Sequence, residues 1–384
     1  MTYRPETLIA PHFLREMDGD VVSTNERSLL RLIWRNPGLS RSELTLYSDL
    51  AQQTVHRIVD QLADRNIVVI GSPKPGLGSG QPSPILRLNE RLAYSCGISA
   101  NADVVDICLM DLGGNTLAES SVSLKERSRA QALEHVREQV RSLQTAQGLD
   151  EQNFFGIGFA IAGFNVGGTR FNASLPLHEW SLIELGPLMT EVFERPAWVL
   201  NGGKAGAVAE SMFGVGRHIK DFAYLSFNYG FGGGLIYEGE LLHGSNGGAG
   251  EYSQMFDREE TTCRPALQYL METLHRHGVN VPSIPYLQKH FDPKWPGVLD
   301  WVERTMPVYN RLINAIWAIY DPQAIVFGGQ VPPALAQMLS QRTELFGTPN
   351  YGAARQSPKL IVSEITTDAA AMGAAITPFK ASYY

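Results

Sequence analysis

A chain of 384 residues and 42.3 kDa exceeds one small module and has room for two or three domains. With 44% hydrophobic and 18% charged residues it can bury a sizeable core, which excludes a long disordered region. The net charge of −7 excludes a protein that coats nucleic acid with its whole surface. It leaves room for one small DNA-binding unit: residues 25–90 hold eight basic side chains against six acidic ones, so this segment is +2 and the remainder −9.

The N-terminal stretch MTYRPETLIAPHFLREMDGD lacks the basic start and apolar run of a secretory signal, and no stretch approaches about 18 uninterrupted apolar residues. A cytosolic protein with no membrane partner is expected. Cys96, Cys108 and Cys263 are widely separated, so they form neither a disulfide framework nor a thiolate metal cage, and a reducing compartment fits.

Residues 25–66 predict three short helices. Leu29, Leu30 and Ile33 form the first apolar stripe, which the Asn36-Pro37-Gly38 break ends. Ser40 then stands three residues before Glu43, the spacing at which hydroxyl and carboxylate satisfy each other's backbone N–H groups, so a second helix starts there. The third stripe, Val55, Ile58, Val59 and Leu62, leaves Gln52, Gln53, His56, Arg57 and Asp60 off the core face. Extended runs at 67–70 and 85–88 flank the turn-rich GSPKPGLGSGQPSP. Three helices and a hairpin predict a winged helix-turn-helix. Its last helix offers Gln52, Gln53, Thr54, His56 and Arg57 to base edges and phosphates, and Ser40 and Arg41 open the preceding helix where a phosphate is favoured. A merely solvated polar face is the competing reading of the third helix alone.

From about Tyr94 strands alternate with helices. Strand-like segments fall at 94–110, 154–162, 222–227, 324–327 and 360–362, and helical ones at 129–147, 203–214 and 299–320, which indicates an α/β domain. The expected division is therefore residues 1–92, an N-terminal arm with the DNA-binding unit, and residues 93–384, the α/β domain.

Six stretches carry a resemblance: NERSLLRLIWRNPGLSRSELTLYSDLAQQTVHRIVDQL, YSCGISANADVVDICLMDLGGN, VLNGGKAGAVAESMFGVG, YGFGGGLIYEGELLHGSNGGAGEYSQ, AIVFGGQ and AAAMGAA. In order and spacing they resemble the ROK family, named for its repressors, open reading frames and kinases, and in particular the repressor branch with an added winged helix-turn-helix. The resemblance implies two actin-like α/β lobes with a sugar pocket in the cleft. It also implies operator DNA and a small carbohydrate effector as partners, and a homodimer or homotetramer.

Departures from the family pattern bear on activity. The kinase pattern Glu-Asn-Asp-Ala-Asn aligns with Leu200-Asn201-Gly202-Gly203-Lys204, so the catalytic aspartate becomes Gly202, which cannot take a proton from the attacking hydroxyl. The phosphate loop Asp-x-Gly-Gly-Thr aligns with Ser99-Ala100-Asn101-Ala102-Asp103. Kinase activity is not expected. Gly230, Gly232, Gly233, Gly234, Gly328 and Gly329 remain, read either as phosphate cradles or, preferably, as permitting tight turns. The family's structural zinc is not expected, because its histidine position is Gln254 and its cysteine cluster has shrunk to Cys263, leaving no tetrahedral N/S set; no cofactor is implied. The resemblance places Asn201, Glu251, Gln254 and Gln268 at or near sugar contacts, and Ser174, His178 and Trp180 in a segment bordering the sugar, with core packing as the alternative for Trp180. A carbohydrate-relieved repressor is the expected function. A sugar kinase of the same fold, or a constitutive DNA-binding regulator with a vestigial pocket, are the alternatives.

Overall fold

The computed structural model describes residues 8–16, 19–73, 83–125, 127–347 and 351–384. The first elements are α1 (Thr24–Arg35), α2 (Arg41–Tyr47) and α3 (Gln52–Asp64), followed by β1 (Val68–Pro73) and β2 (Pro84–Leu88), paired antiparallel. The predicted stripes are buried: Leu29, Leu30 and Ile33 on α1, and Val55, Ile58, Val59 and Leu62 on α3. Ser40 and Glu43 make the reciprocal cap that starts α2, and Ser23 with Glu26 repeats the device at α1. Gly80-Gln81-Pro82, in the turn-rich segment between the two strands, lies outside the described residues.

The first five-stranded sheet is built from β3 (Tyr94–Ala100), β4 (Val104–Asp111), β5 (Thr116–Ser123), then, after α4 (Arg129–Ala146), β6 (Phe154–Ile161). A hairpin of β7 (Gly163–Gly167) and β8 (Arg170–Ala173) and helix α5 (Leu185–Phe193) precede its last strand, β9 (Ala197–Asn201). The strand order is β5-β4-β3-β6-β9, antiparallel across the first three and parallel from β3 onward. The run expected at 94–110 is thus two antiparallel strands, with a reversal at Asn101-Ala102-Asp103 that apolar content alone does not mark.

After α6 (Gly202–Phe213) the second sheet repeats the pattern with β10 (Phe222–Phe227), β11 (Phe231–Tyr237) and β12 (Glu240–Leu241). Helices α7 (Leu267–Arg276), α8 (Ile284–His290) and α9 (Val298–Tyr320) lead to β13 (Ala324–Gly329), α10 (Pro333–Gln341), β14 (Lys359–Val362) and α11 (Ala369–Ser382). The order is β12-β11-β10-β13-β14, parallel from β10 through β13 to β14. A mixed α/β fold with two sheets of one topology is the result.

Helices α6 and α11 pack together, and their closeness depends on glycine. A Cβ on Gly373 would sit 1.7 Å from the Ala205 carbonyl oxygen, and one on Gly203 2.5 Å from the Gly233 nitrogen. The glycines Gly232, Gly233 and Gly234 lie inside β11, not in a turn as read from the sequence, and a Cβ on Gly234 would meet Ala207 of α6 at 2.7 Å. Gly233 and Gly234 let a helix approach a sheet. Gly328 and Gly329 end β13 against the Tyr224 ring, whose hydroxyl accepts from the Gly329 N–H at 2.7 Å.

The N-terminal helices share one apolar core with the first lobe and α11: Phe13, Leu29, Leu30, Val59, Leu62, Phe155, Trp198, Phe379 and Tyr383 belong to a single cluster. Phe13 meets Phe155 edge-on at 5.2 Å. The three-helix segment is therefore seated on the α/β region through apolar contact.

Candidate functional site

Strand β9 delivers Asn201 to the start of α6, where its side chain does two jobs. Its Oδ1 accepts from the Lys204 backbone N–H at 3.1 Å, capping the helix, and its amide donates to the Gly163 carbonyl at 2.6 Å. Ser174 donates its backbone N–H to the Ala162 carbonyl at 3.0 Å, so Ser174 and Asn201 converge on the same end of β6. Among the described residues the buried Ser174 hydroxyl has no hydrogen-bond partner, a polar atom poised for one.

Lys204, one turn into α6, is buried among small side chains with 7% of its side chain exposed. Its ammonium donates to the Gly247 carbonyl and stands 3.7 Å from Glu251 Oε1, whose side chain is 14% exposed. Burial lowers the Lys204 ammonium and raises the Glu251 carboxyl from their ordinary ranges, and each charge opposes the other's shift. Glu251 Oε1 otherwise has no hydrogen-bond partner. Asn201, Lys204 and Glu251 thus form one connected set, while Ser174 reaches it only through the Ala162-Gly163 backbone.

The other expected sugar residues are not drawn into that set. Gln254 follows Glu251 in the short turn Tyr252–Met255 with its side chain exposed. Gln268 opens α7, its backbone N–H on the Tyr229 carbonyl, and is half-buried. The exposed His178 places Nδ1 3.3 Å from the Leu175 carbonyl. Trp180 is core: it is buried and stacks on Phe159 at 5.7 Å. Gln254 and the lone Cys263 do not make a donor set for a structural zinc, and among the described residues no three His, Cys, Asp or Glu side chains cluster to hold a metal.

A cavity of about 710 Å³, within the range of small-molecule sites, is lined by Asn201 and Lys204 of this set but not by Ser174 or Glu251. Asn201, Lys204, Asn165 and the 243–247 loop form one side. Arg27 and Arg31 of α1, Glu240 of β12 and Lys380 of α11 form the other. Lys204, Arg31, Glu240 and Lys380 were not singled out from sequence. The one available signal was Lys204 itself, a cation on a helix face otherwise built from Gly, Ala and Val.

Beside the reversal at Asn101-Ala102-Asp103 lies a carboxyl pair. The Asn101 amide donates to Asp106 at 3.1 Å and to Asp368, the N-cap of α11, at 3.3 Å. Burial, then the neighbouring Asp106, pushes the Asp368 carboxyl up to about 7.

On the N-terminal helices, Gln52, Gln53 and Arg57 are exposed along α3, with Thr54 and His56 half-buried beside them. Arg57 donates to Gln61 at 3.1 Å. Ser40 is consumed by its cap, and Arg41 bonds Asp60 of α3 at 2.7 Å, bracing α2 against α3. Any phosphate contact by Arg41 competes with that bond. Among the described residues no helix is long and apolar enough to cross a membrane.

Residues 95–264 match the model of the ROK family. The chain is 26% identical over 376 residues to the DNA-binding transcriptional dual regulator NagC of Escherichia coli, covering 90% of each protein. It is 27% identical over 248 residues to the xylose repressor of Bacillus spizizenii, covering 63% of this chain and 64% of that protein. Among solved structures, a ROK family transcriptional regulator homologous to the Escherichia coli MLC protein superposes with a TM-score of 0.69 at 20% identity, over 94% of this chain and 96% of that one. A ROK family glucokinase from Streptomyces griseus reaches 0.58 at 16% identity, over 74% and 98%. The fold is shared by regulators and kinases.

Proposed function

From the premise that this chain carries a ROK-family domain of the repressor branch, we propose that it is a sugar-responsive DNA-binding transcriptional regulator, a repressor relieved by a carbohydrate, without kinase activity. The observation that carries the reading is a shared wall: α1, which packs with α2 and α3, also lines the polar cavity of the α/β region through Arg27 and Arg31. An occupant of that cavity touches the element that positions the exposed Gln53 and Arg57. A ligand shifts such a protein only through unequal affinity for its two arrangements, and a cavity bounded by both parts supplies that inequality.

In this reading residues 1–92 are the operator-binding unit, a winged helix-turn-helix, and residues 93–384 the sensor, in a cytosolic homodimer or homotetramer that presents paired recognition helices. Asn201, Glu251 and Ser174 bind sugar hydroxyls, with His178, Gln254 and Gln268 at the margin. The kinase alternative is opposed by Gly202 and by Ser99-Ala100-Asn101-Ala102-Asp103 in place of the kinase phosphate loop. The test is a thermal-shift screen of sugars and glycosides, repeated with DNA from upstream of the protein's own gene, beside a coupled assay for ATP-dependent phosphorylation. A carbohydrate that stabilises the protein and changes its DNA affinity supports the reading. ATP-dependent turnover overturns it, and DNA binding indifferent to every sugar favours a constitutive regulator.

A further inference from the structure

We propose that the cavity between α1, β12, α6 and α11 binds the anionic group of a charged sugar, a carboxylate or phosphate, which draws Arg31 and Lys380 away from Glu240. This rests on the effector reading above and narrows its ligand class.

Among the described residues, Arg31 and Lys380 reach the cavity around one shared carboxylate, Glu240, with Lys204 across from them. Glu240 spans the two: Oε1 lies 3.2 Å from the Arg31 guanidinium and Oε2 2.7 Å from the Lys380 ammonium, whose side chain is 15% exposed. Arg27 is already engaged, donating to the carbonyl oxygens of Lys380, Ala381, Ser382 and Tyr384 at 3.4, 3.1, 3.4 and 3.1 Å. Glu251 offsets Lys204 from 3.7 Å, beyond direct hydrogen-bond reach. Two cations thus share one carboxylate in a partly desolvated space, where mutual repulsion and lost hydration both cost free energy. An anion offsets those costs with charge-assisted hydrogen bonds, and a neutral sugar cannot. Asn165, Asn201, Ser245 and Asn246 supply neutral donors and acceptors to the same space, which suits hydroxyls attached to that anion.

Glu240 is also a latch. It sits on β12 and joins α1, through Arg31, to α11, through Lys380. A ligand anion competes with Glu240 for both cations, so occupancy weakens the hold of β12 on α1. The competition is local, and its readout is the seating of the N-terminal helices.

The test uses the full chain and calorimetry with matched probes: glucose against glucuronate and glucose 6-phosphate, xylose against xylonate, and inorganic phosphate alone. Acidic members should bind at least tenfold more tightly than their neutral parents and than inorganic phosphate. Arg31→Gln combined with Lys380→Gln should remove that advantage. Glu240→Gln, which removes the competitor without opening a void, should tighten anion binding severalfold and guards against failure of the double variant to fold. Neutral sugars binding as tightly as the acids, or anion affinity unchanged in Glu240→Gln, overturns this inference and leaves the sugar-responsive reading standing. Inorganic phosphate binding as tightly as the sugar phosphate also overturns it. Absence of binding by every sugar in the series overturns both.

Discussion

The Trp34 indole Nε1 donates to the Gly113 carbonyl at 2.9 Å, tying α1 to the turn between β4 and β5. The same ring meets Phe213 edge-on at 6.1 Å and Tyr384 at 5.7 Å, so one residue of the helical segment is held by the α/β region on three sides. Trp34→Ala should cost about 2–4 kcal/mol, the range for removing a large, partly buried aromatic, and Trp34→Phe about 1 kcal/mol for the lost hydrogen bond. Urea unfolding checks both. A cost near zero for the alanine variant would mean that α1 is not seated as described.

Recognition by α3 is tested at Gln53 and Arg57. If they read base edges, Gln53→Ala and Arg57→Ala should each weaken specific binding by roughly 1–3 kcal/mol, with sugar binding intact. Titrations on specific and random DNA separate the roles: equal loss on both assigns the residue to phosphate.

Arg41 faces a choice, because its guanidinium bonds Asp60 at 2.7 Å. If it turns to a phosphate in the complex, Arg41→Ala should lower the salt-dependence slope of DNA binding by about 1, while Asp60→Ala should raise affinity by freeing the cation. An unchanged slope in Arg41→Ala confines the residue to bracing α2 on α3.

The Lys204–Glu251 pair alters how the pocket must be probed. Glu251→Ala strands a buried ammonium and should destabilise the fold by about 3–5 kcal/mol, which would mask a loss of ligand affinity. Glu251→Gln keeps the shape and is the fit probe of sugar contact, and should weaken sugar binding by about 1.5–3 kcal/mol. The double variant Lys204→Met, Glu251→Leu should recover most of the stability lost by Glu251→Ala. Denaturation of the three variants decides whether the pair is coupled.

Asp368 titrates near 7 in the folded chain, above its unfolded value, because burial and Asp106 disfavour its charge. The folded state then binds more protons than the unfolded state between those values, so this group's contribution to stability is intact in acid and is lost as pH rises toward and through about 7. Asp368→Asn, which keeps a side-chain cap for α11, should flatten that decline, read as Tm against pH from 4 to 8. An equal decline in wild type and variant would place the titrating group elsewhere.

Kinase chemistry is checked by restoring the missing acid. A Cβ on Gly202 would meet nothing closer than 3.6 Å, so Gly202→Asp should fold, and an acid in the first turn of α6 suits its positive end. Neither wild type nor Gly202→Asp should phosphorylate sugars, since Ser99-Ala100-Asn101-Ala102-Asp103 still lacks the glycines that let backbone approach a phosphate. Turnover in Gly202→Asp would show that one carboxylate was all that this chain lacked for sugar phosphorylation.

Short-range rules made much of this protein legible in its sequence. The α3 stripe, the Ser40–Glu43 cap and the apolar strands β6, β10 and β13 follow from periodicity and capping within a few residues, and all stand where those rules put them. Gly202 also told against kinase chemistry without any fold, because a residue with no side chain cannot take a proton. Trp180 was ambiguous by nature: a buried indole stacks on a phenyl ring or on a sugar by the same forces, and only its place beside Phe159 selects the core. The pairing of Lys204 with Glu251, and of Glu240 with both Arg31 and Lys380, was beyond sequence reasoning. These partners come from distant elements with no shared period, and a cation's identity does not reveal which distant carboxylate the packing of α6, α11 and β12 will bring to it. Tertiary structure alone decided that Arg31 and Lys380 share Glu240 at the cavity and that α1 is part of its wall.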